Sequence, residues 1–202
     1  MVTALKPIRD KVGLRRVVVS TYQAVSGAGQ SAVEEFRTQV EAYPESSDVR
    51  VMTHPIAFNC IPQIDEFLEN SETKEERKMV DETRKILGVP DLPISATCVR
   101  VPVYLGHSEA VHLETRTKVT VDEVRDMLSS APGVIVVDGD GPGDYPTATT
   151  EAANRDAVFV GRIREDLSHP RGLDLWVVSD NLRKGAALNS VQIAEILVNE
   201  LM

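Results

Sequence analysis

From Ile94 to Thr117 the chain reads ISATCVRVPVYLGHSEAVHLETRT. Apolar and β-branched residues fill Ile94 to Val103 and again Ser108 to Thr117, and Pro102 and Gly106 interrupt the pattern between the two runs. This spacing predicts two strands separated by a bend. Working outward, Leu14 to Val19, Val134 to Val137, Ala157 to Ile163 and Leu173 to Val178 carry the same signature, for a set of about six strands. Helical periodicity marks Thr3 to Lys11, Ser31 to Ala42, Lys74 to Leu87, Thr120 to Ser129 and Lys184 to Leu201. In Lys74 to Leu87 the residues Met79, Val80, Thr83, Ile86 and Leu87 share one face, and Gly88 with Pro90 ends the helix. Thr120 and Glu123 form a capping box, and Tyr43 to Ser47 is expected to be a loop. Strands and helices do not alternate strictly, and several neighbouring strands are close enough in sequence to run antiparallel. The expected fold class is therefore α+β, a mixed, largely antiparallel sheet with helices packed on one face.

A chain of 202 residues, 42% hydrophobic and 26% charged, can bury a sizeable core and is expected to form one domain, residues 1–202. Its formal charge of −9 and pI near 5.0 leave no basic stripe for a phosphate backbone, so nucleic acid is not an expected partner. No stretch approaches the roughly 18 to 20 apolar residues of a membrane span, and Met1 to Asp10 has no signal-peptide hydrophobic block. No membrane partner and a cytoplasmic location are expected. Cys60 and Cys98 form no CxxC pair, so both are read as reduced thiols.

Several local patterns suggest chemistry. Gly27-Ala28-Gly29-Gln30-Ser31-Ala32 satisfies G-x-G-x-x-A, but the acidic strand end that a dinucleotide fold needs about 20 residues later falls in the loop near Ser47 and Asp48. Asp138 to Asp144 mimics the start of a calcium loop, yet Thr149 stands where a bidentate Glu is required. His107 and His112, five residues apart, fall on opposite faces of a strand, so no metal site is expected. Arg100 shares a strand face with Cys98 and Ala96, and a cation aimed into such a region needs an anion. By itself it reads as the partner of a structural carboxylate, with a clamp on a substrate carboxylate as the alternative. Glu75 and Lys78, at i and i+3, read by themselves as a solvated pair worth about 0.2 to 0.5 kcal/mol.

Three longer segments change that balance. Ser20-Thr21-Tyr22-Gln23-Ala24-Val25-Ser26-Gly27-Ala28-Gly29, then Cys98-Val99-Arg100-Val101-Pro102-Val103 through His107-Ser108-Glu109, then Asp180-Asn181-Leu182-Arg183-Lys184-Gly185-Ala186-Ala187 together resemble the aspartate-semialdehyde dehydrogenase family. Glu75-Glu76-Arg77-Lys78 and Glu82-Thr83 stand at the matching place between the first two. The resemblance implies a domain like the C-terminal one of glyceraldehyde-3-phosphate dehydrogenase. It implies reversible, NADP-dependent reductive dephosphorylation of aspartyl phosphate to aspartate semialdehyde through a cysteine thioester, a step toward lysine, methionine and threonine. His107 matches the family's acid-base histidine and Arg100 the clamp on the substrate carboxylate. Glu75 matches the glutamate that pairs with the substrate ammonium, Lys78 a lysine that receives phosphate, and Gln23 the glutamine beside the reacting carbonyl. Ser26, Gly27 and Asn181 match positions at the nicotinamide end of NADP.

One departure matters. The family's nucleophile belongs to an Asn-Cys turn about four or five residues before the position of Met1, and neither Cys60 nor Cys98 matches it. The Rossmann NADP-binding half is expected to be absent, and 184–202 to be a terminal helix that packs on it. The chain is expected to form a homodimer, to bind NADP weakly or not at all by itself, and to be inactive until that half is restored. Two rival readings stay open. A noncatalytic relative serving as a structural or dimerisation protein should have lost the charged site residues, and a self-contained NAD-binding module on Gly27 to Ala32 should bind NADP saturably.

Overall fold

The computed structural model describes residues 1–45 and 48–201; Ser46 and Ser47, the end of the expected Tyr43–Ser47 loop, and Met202 lie outside the described residues. The chain opens with α1 (Val2–Val12) and β1 (Leu14–Gln23), followed by a 3-10 turn at Val25–Ala28 and α2 (Gln30–Glu41). After a long irregular segment come α3 (Lys74–Leu87), β2 (Ile94–Arg100), β3 (His107–Thr115), α4 (Val121–Ser129) and β4 (Val134–Val136). β5 (Val158–Glu165), β6 (Gly172–Ser179) and α5 (Leu188–Leu201) complete it.

The six strands form one sheet in the order β2-β1-β3-β6-β5-β4. The outer pairs β1–β2 and β4–β5 are parallel and the three inner pairings antiparallel, so the sheet is mixed and largely antiparallel, as expected. β2 and β3 follow one another in sequence but are not partners. β1 lies between them, with Gln23 opposite Arg100 on one side and Tyr22 opposite Ser108 on the other. Residues 101–106 therefore cross over the end of β1, which brings Gln23, Arg100 and His107 to one end of the sheet.

Three boundaries differ from expectation by three residues or more. β1 runs on past Val19 to Gln23, because its polar end is paired on both sides. β2 stops at Arg100 rather than Val103, because Pro102 has no N–H for a ladder. The expected helix from Lys184 is divided into a π-helical turn, Arg183–Ala187, and α5.

Helices α1, α3 and α4 cover one face of the sheet. Leu5, Ile8, Leu87, Val124 and Leu128 pack there against Val17, Val19, Val111, Leu113, Leu175 and Val177. Each buried Leu or Ile contributes about 1.5 to 3 kcal/mol. On the opposite face a short π-helical turn, Ala148–Ala152, covers Phe159 and Val178. The rest of that face stays open, with the Tyr22 and Trp176 rings 5.4 Å apart between centroids and tilted by 47°. A smaller core of Val25, Phe36, Ile56 and Ile61 anchors the irregular segment. There the buried Gln39 accepts from the Ile56 and Ala57 N–H groups, and Glu35 from those of Arg50 and Val51. Among the described residues no helix is long and apolar enough to cross a membrane.

Candidate functional site

The site starts from the helix cap of α3. Thr73 Oγ1 accepts the Glu76 N–H at 3.2 Å while Glu76 Oε2 accepts the Thr73 N–H at 2.8 Å, a reciprocal cap that sets the first turn. Glu76 Oε1 also accepts the Cys98 N–H at 3.0 Å, tying the helix to β2. Glu75 and Lys78 are thereby presented at the end of the sheet where β1 and β2 finish. Gln23, buried at the end of β1, donates through Nε2 to Glu75 Oε1 at 3.2 Å, and Lys78 Nζ lies 3.3 Å from Glu75 Oε2. Thr21 Oγ1 donates to Gln23 Oε1 at 3.0 Å, which orients the amide.

Arg100 ends β2 and is only 6% exposed, with Nη1 donating to the Ala24 carbonyl at 2.7 Å. It makes no ion pair among the described residues, so the remaining donors of its fork face the cleft unpaired. Burial pushes its pKa down and the charge of Glu75 opposes that; a guanidinium remains a cation nonetheless.

His107 opens β3 directly after Gly106, whose φ of +85 favours glycine and where a Cβ would stand 2.8 Å from the Ala148 carbonyl oxygen. The ring's Nδ1 accepts the Ala24 N–H at 3.0 Å. Burial first, and Arg100 second, lower its pKa to about 4, against the Gly106 carbonyl and Asp180, so the imidazole is neutral near pH 7. A Cβ at Gly27 would stand 3.0 Å from Arg100 Nη1 and 3.4 Å from His107 Nε2, so both side chains flank the same backbone atom. Asn181 accepts the Gly106 N–H at 2.9 Å and donates to Ser26 Oγ at 3.0 Å, linking the turn of Ser26 to the start of β3. Asp180 holds that loop by accepting the N–H groups of Asn154, Leu182 and Arg183.

Gln23, Ser26, Gly27, Glu75, Lys78, Arg100, His107 and Asn181 all line one open cleft of about 690 Å³. Every site candidate named from the sequence thus falls in the same place. His112 lies on the other face, its Nδ1 3.1 Å from Asp174 Oδ1. Cys98 is buried and its pKa is raised to about 11, mainly by burial; Cys60 is exposed and outside the cleft. Asp138 is committed to Arg125 and the Ile163 N–H, and Asp144 to the Gly141 N–H.

The sequence motifs contain Thr21, Glu76 and Glu109 but assign no role to them or to the Ala24 N–H. Glu109 lines the same cleft, with Oε2 2.8 Å from the Met1 nitrogen. Thr21 and Glu109 were findable, since period two puts them on the faces of Gln23 and His107. Chemically, the cleft offers one buried cation, a neutral imidazole, an oriented amide and, at its rim, a carboxylate beside an ammonium. That set suits a small substrate with an anionic and a cationic group, plus a second anion near Lys78.

The fold and site define an α+β domain with a charged cleft at one end of its sheet. Residues 5–184 match the family described as semialdehyde dehydrogenase, dimerisation domain, and the chain belongs to that family. The aspartate-semialdehyde dehydrogenase of Aquifex aeolicus is 53% identical over 203 residues, which are 99% of this chain and 59% of that protein. Aspartate semialdehyde dehydrogenase II from Vibrio cholerae matches with a TM-score of 0.96 at 48% identity, over 100% of this chain and 60% of that one. Its complex with ASA gives 0.93 at 49%, over 98% of this chain and 59% of that one. The Candida albicans enzyme with NADP gives 0.68 at 28%, over 96% and 53%. The chain spans about three fifths of the length of the curated relative, 59%.

Proposed function

We propose that this chain supplies the substrate site and the dimer contact of an NADP-dependent aspartate-semialdehyde dehydrogenase. The observation that carries the reading is the convergence of Arg100, His107, Gln23, Glu75 and Lys78 on one cleft beside Gly27. The free side of the Arg100 fork binds the substrate carboxylate through paired N–H···O bonds. Glu75 takes the substrate ammonium, and Lys78, whose side chain is 56% exposed, takes the phosphate that enters from solvent. Gln23, oriented by Thr21, borders the reacting carbonyl, and the neutral imidazole of His107 faces it. The polar edge of Ser26 and Asn181 and the Cβ-free approach at Gly27 fit the nicotinamide end of NADP, which supplies the hydride acceptor when bound.

Neither cysteine suits a nucleophile at this cleft. Cys98 is closed off and held protonated, and Cys60 lies elsewhere. The attacking thiolate and the adenosine site are therefore assigned to sequence outside this chain, and the chain is inactive by itself. The noncatalytic reading requires loss of the charged site residues, and all of them are present. Val191, Ile193, Ile196, Leu197 and Val198 of α5 are each about half exposed, which suits a helix that packs on the nucleotide-binding portion. The open sheet face suits the contact with a second copy.

Joined behind the N-terminal portion of a relative, the chain is expected to reduce NADP with aspartate semialdehyde and phosphate. Alone it is expected to show no turnover and weak or no NADP binding. Turnover by the chain alone, or none by a joined protein that folds, overturns the reading.

A further inference from the structure

We propose that Thr21 is a positioning residue for the reaction in the cleft. Its buried hydroxyl, set between the Cys98 thiol and the Gln23 amide, holds Gln23 with its oxygen turned into the sheet and an N–H toward the substrate. The kinetic half of this statement rests on the proposed function; the order of the hydrogen bonds does not. No role for Thr21 or Cys98 follows from the family resemblance.

Glu75 sets the direction. With Lys78 Nζ 3.3 Å from its Oε2, it stands at the cleft as a carboxylate, a group with lone pairs and no hydrogen to give. Only the nitrogen end of an amide can meet its Oε1, and Gln23 Nε2 does so at 3.2 Å. A flipped amide would set two acceptor oxygens against each other. With the nitrogen committed to Glu75, the Gln23 oxygen faces Thr21 Oγ1 at 3.0 Å, and the hydroxyl must donate. Its lone pairs remain for the Cys98 thiol, which stands opposite Thr21 across the β1–β2 pair and is hydrogen-bonded to it. The hydrogens thus run one way, from thiol to hydroxyl to amide to carboxylate.

An amide nitrogen carries two hydrogens. One goes to Glu75, and the other is what Gln23 offers to a ligand in the cleft that it lines. The oxygen, bonded to the buried Thr21, is withdrawn from that space. Gln23 also stands opposite Arg100 in the β1–β2 register, so the amide donor and the guanidinium fork lie side by side. Thr21 and Cys98 are both buried, so water does not stand in for a lost hydroxyl. Without it the Gln23 oxygen loses its donor, and the amide is free to turn its N–H out of place. Misplacing an orienting group by about 1 Å costs up to about 10²-fold in rate.

Two measurements test this. In the joined enzyme, Thr21→Val keeps the shape of the side chain without its hydroxyl and should lower kcat about 10- to 10²-fold with little change in KM. Thr21→Ser, which keeps the hydroxyl without the methyl group, should stay within about threefold of the parent. Packing alone orders the two variants the other way, since Ser leaves a small void and Val does not. A Val variant as fast as the parent, or a folded Ser variant no better than Val, overturns the positioning role. The second measurement needs no variant. Nuclear Overhauser spectra of the chain should show the Gln23 amide hydrogens weakly or not at all coupled to the Thr21 methyl group. Strong coupling would put nitrogen beside Thr21 and overturn the hydrogen-bond order. An inactive joined parent with the amide so oriented would refute the reaction assigned to the cleft, and with it the kinetic role, while that order stands.

Discussion

Burial of the His107 ring couples folding to pH. Its folded pKa of about 4 lies below the ordinary value near 6.5, so between those values the unfolded chain takes up a proton that the folded chain refuses. Stability from this group is therefore complete above about pH 6.5 and falls as pH drops toward about 4. His107→Gln removes the titration. The unfolding free energy of the parent relative to the variant should shrink by about 2 to 3 kcal/mol between about pH 7.5 and pH 4.5, read from urea titrations. A difference that does not change with pH would place the ring in water. At this scale the motifs named the side chains of the cleft, but not the Ala24 N–H that holds the imidazole. A backbone donor has no signature in the sequence, and its aim depends on the register that sets Gln23 opposite Arg100.

At the scale of elements, the cap of α3 carries two site residues in its first turns. Thr73→Ala removes the side-chain half of the capping box and should cost about 1 kcal/mol, a fall of about 2 to 4 °C in Tm for a chain of this size. Calorimetry checks it, and an unchanged Tm would mean that the tie from Glu76 to Cys98 holds the helix start by itself. α3 was legible over its full span because periodicity and the terminating Gly88 agree. β1 was read short because Ser20 to Gln23 is polar, although a strand paired on both sides does not need an apolar end. The division at Arg183–Ala187 was not legible either. No proline marks it; the turn follows from Asp180 accepting the Leu182 and Arg183 N–H groups.

Across the whole molecule, three helices bury one face of the sheet and leave much of the other open. The second copy proposed for that face would cover Tyr22, 38% exposed, beside Trp176. Sedimentation should find a dimer at micromolar concentration, and Ala110→Arg, placed on the open face of β3, should yield folded monomer. A dimer indifferent to this change would put the contact elsewhere. The order of the strands was beyond sequence reading, since nothing local tells β1 to enter between β2 and β3, yet that insertion is what assembles the site. The most direct test of the shared cleft is the kinetics of the joined enzyme with aspartate semialdehyde, phosphate and NADP. Arg100→Ala should mainly raise KM and His107→Ala mainly lower kcat, as expected of a binding clamp and a group acting in the transition state. Unaltered kinetics in both variants would contradict the account.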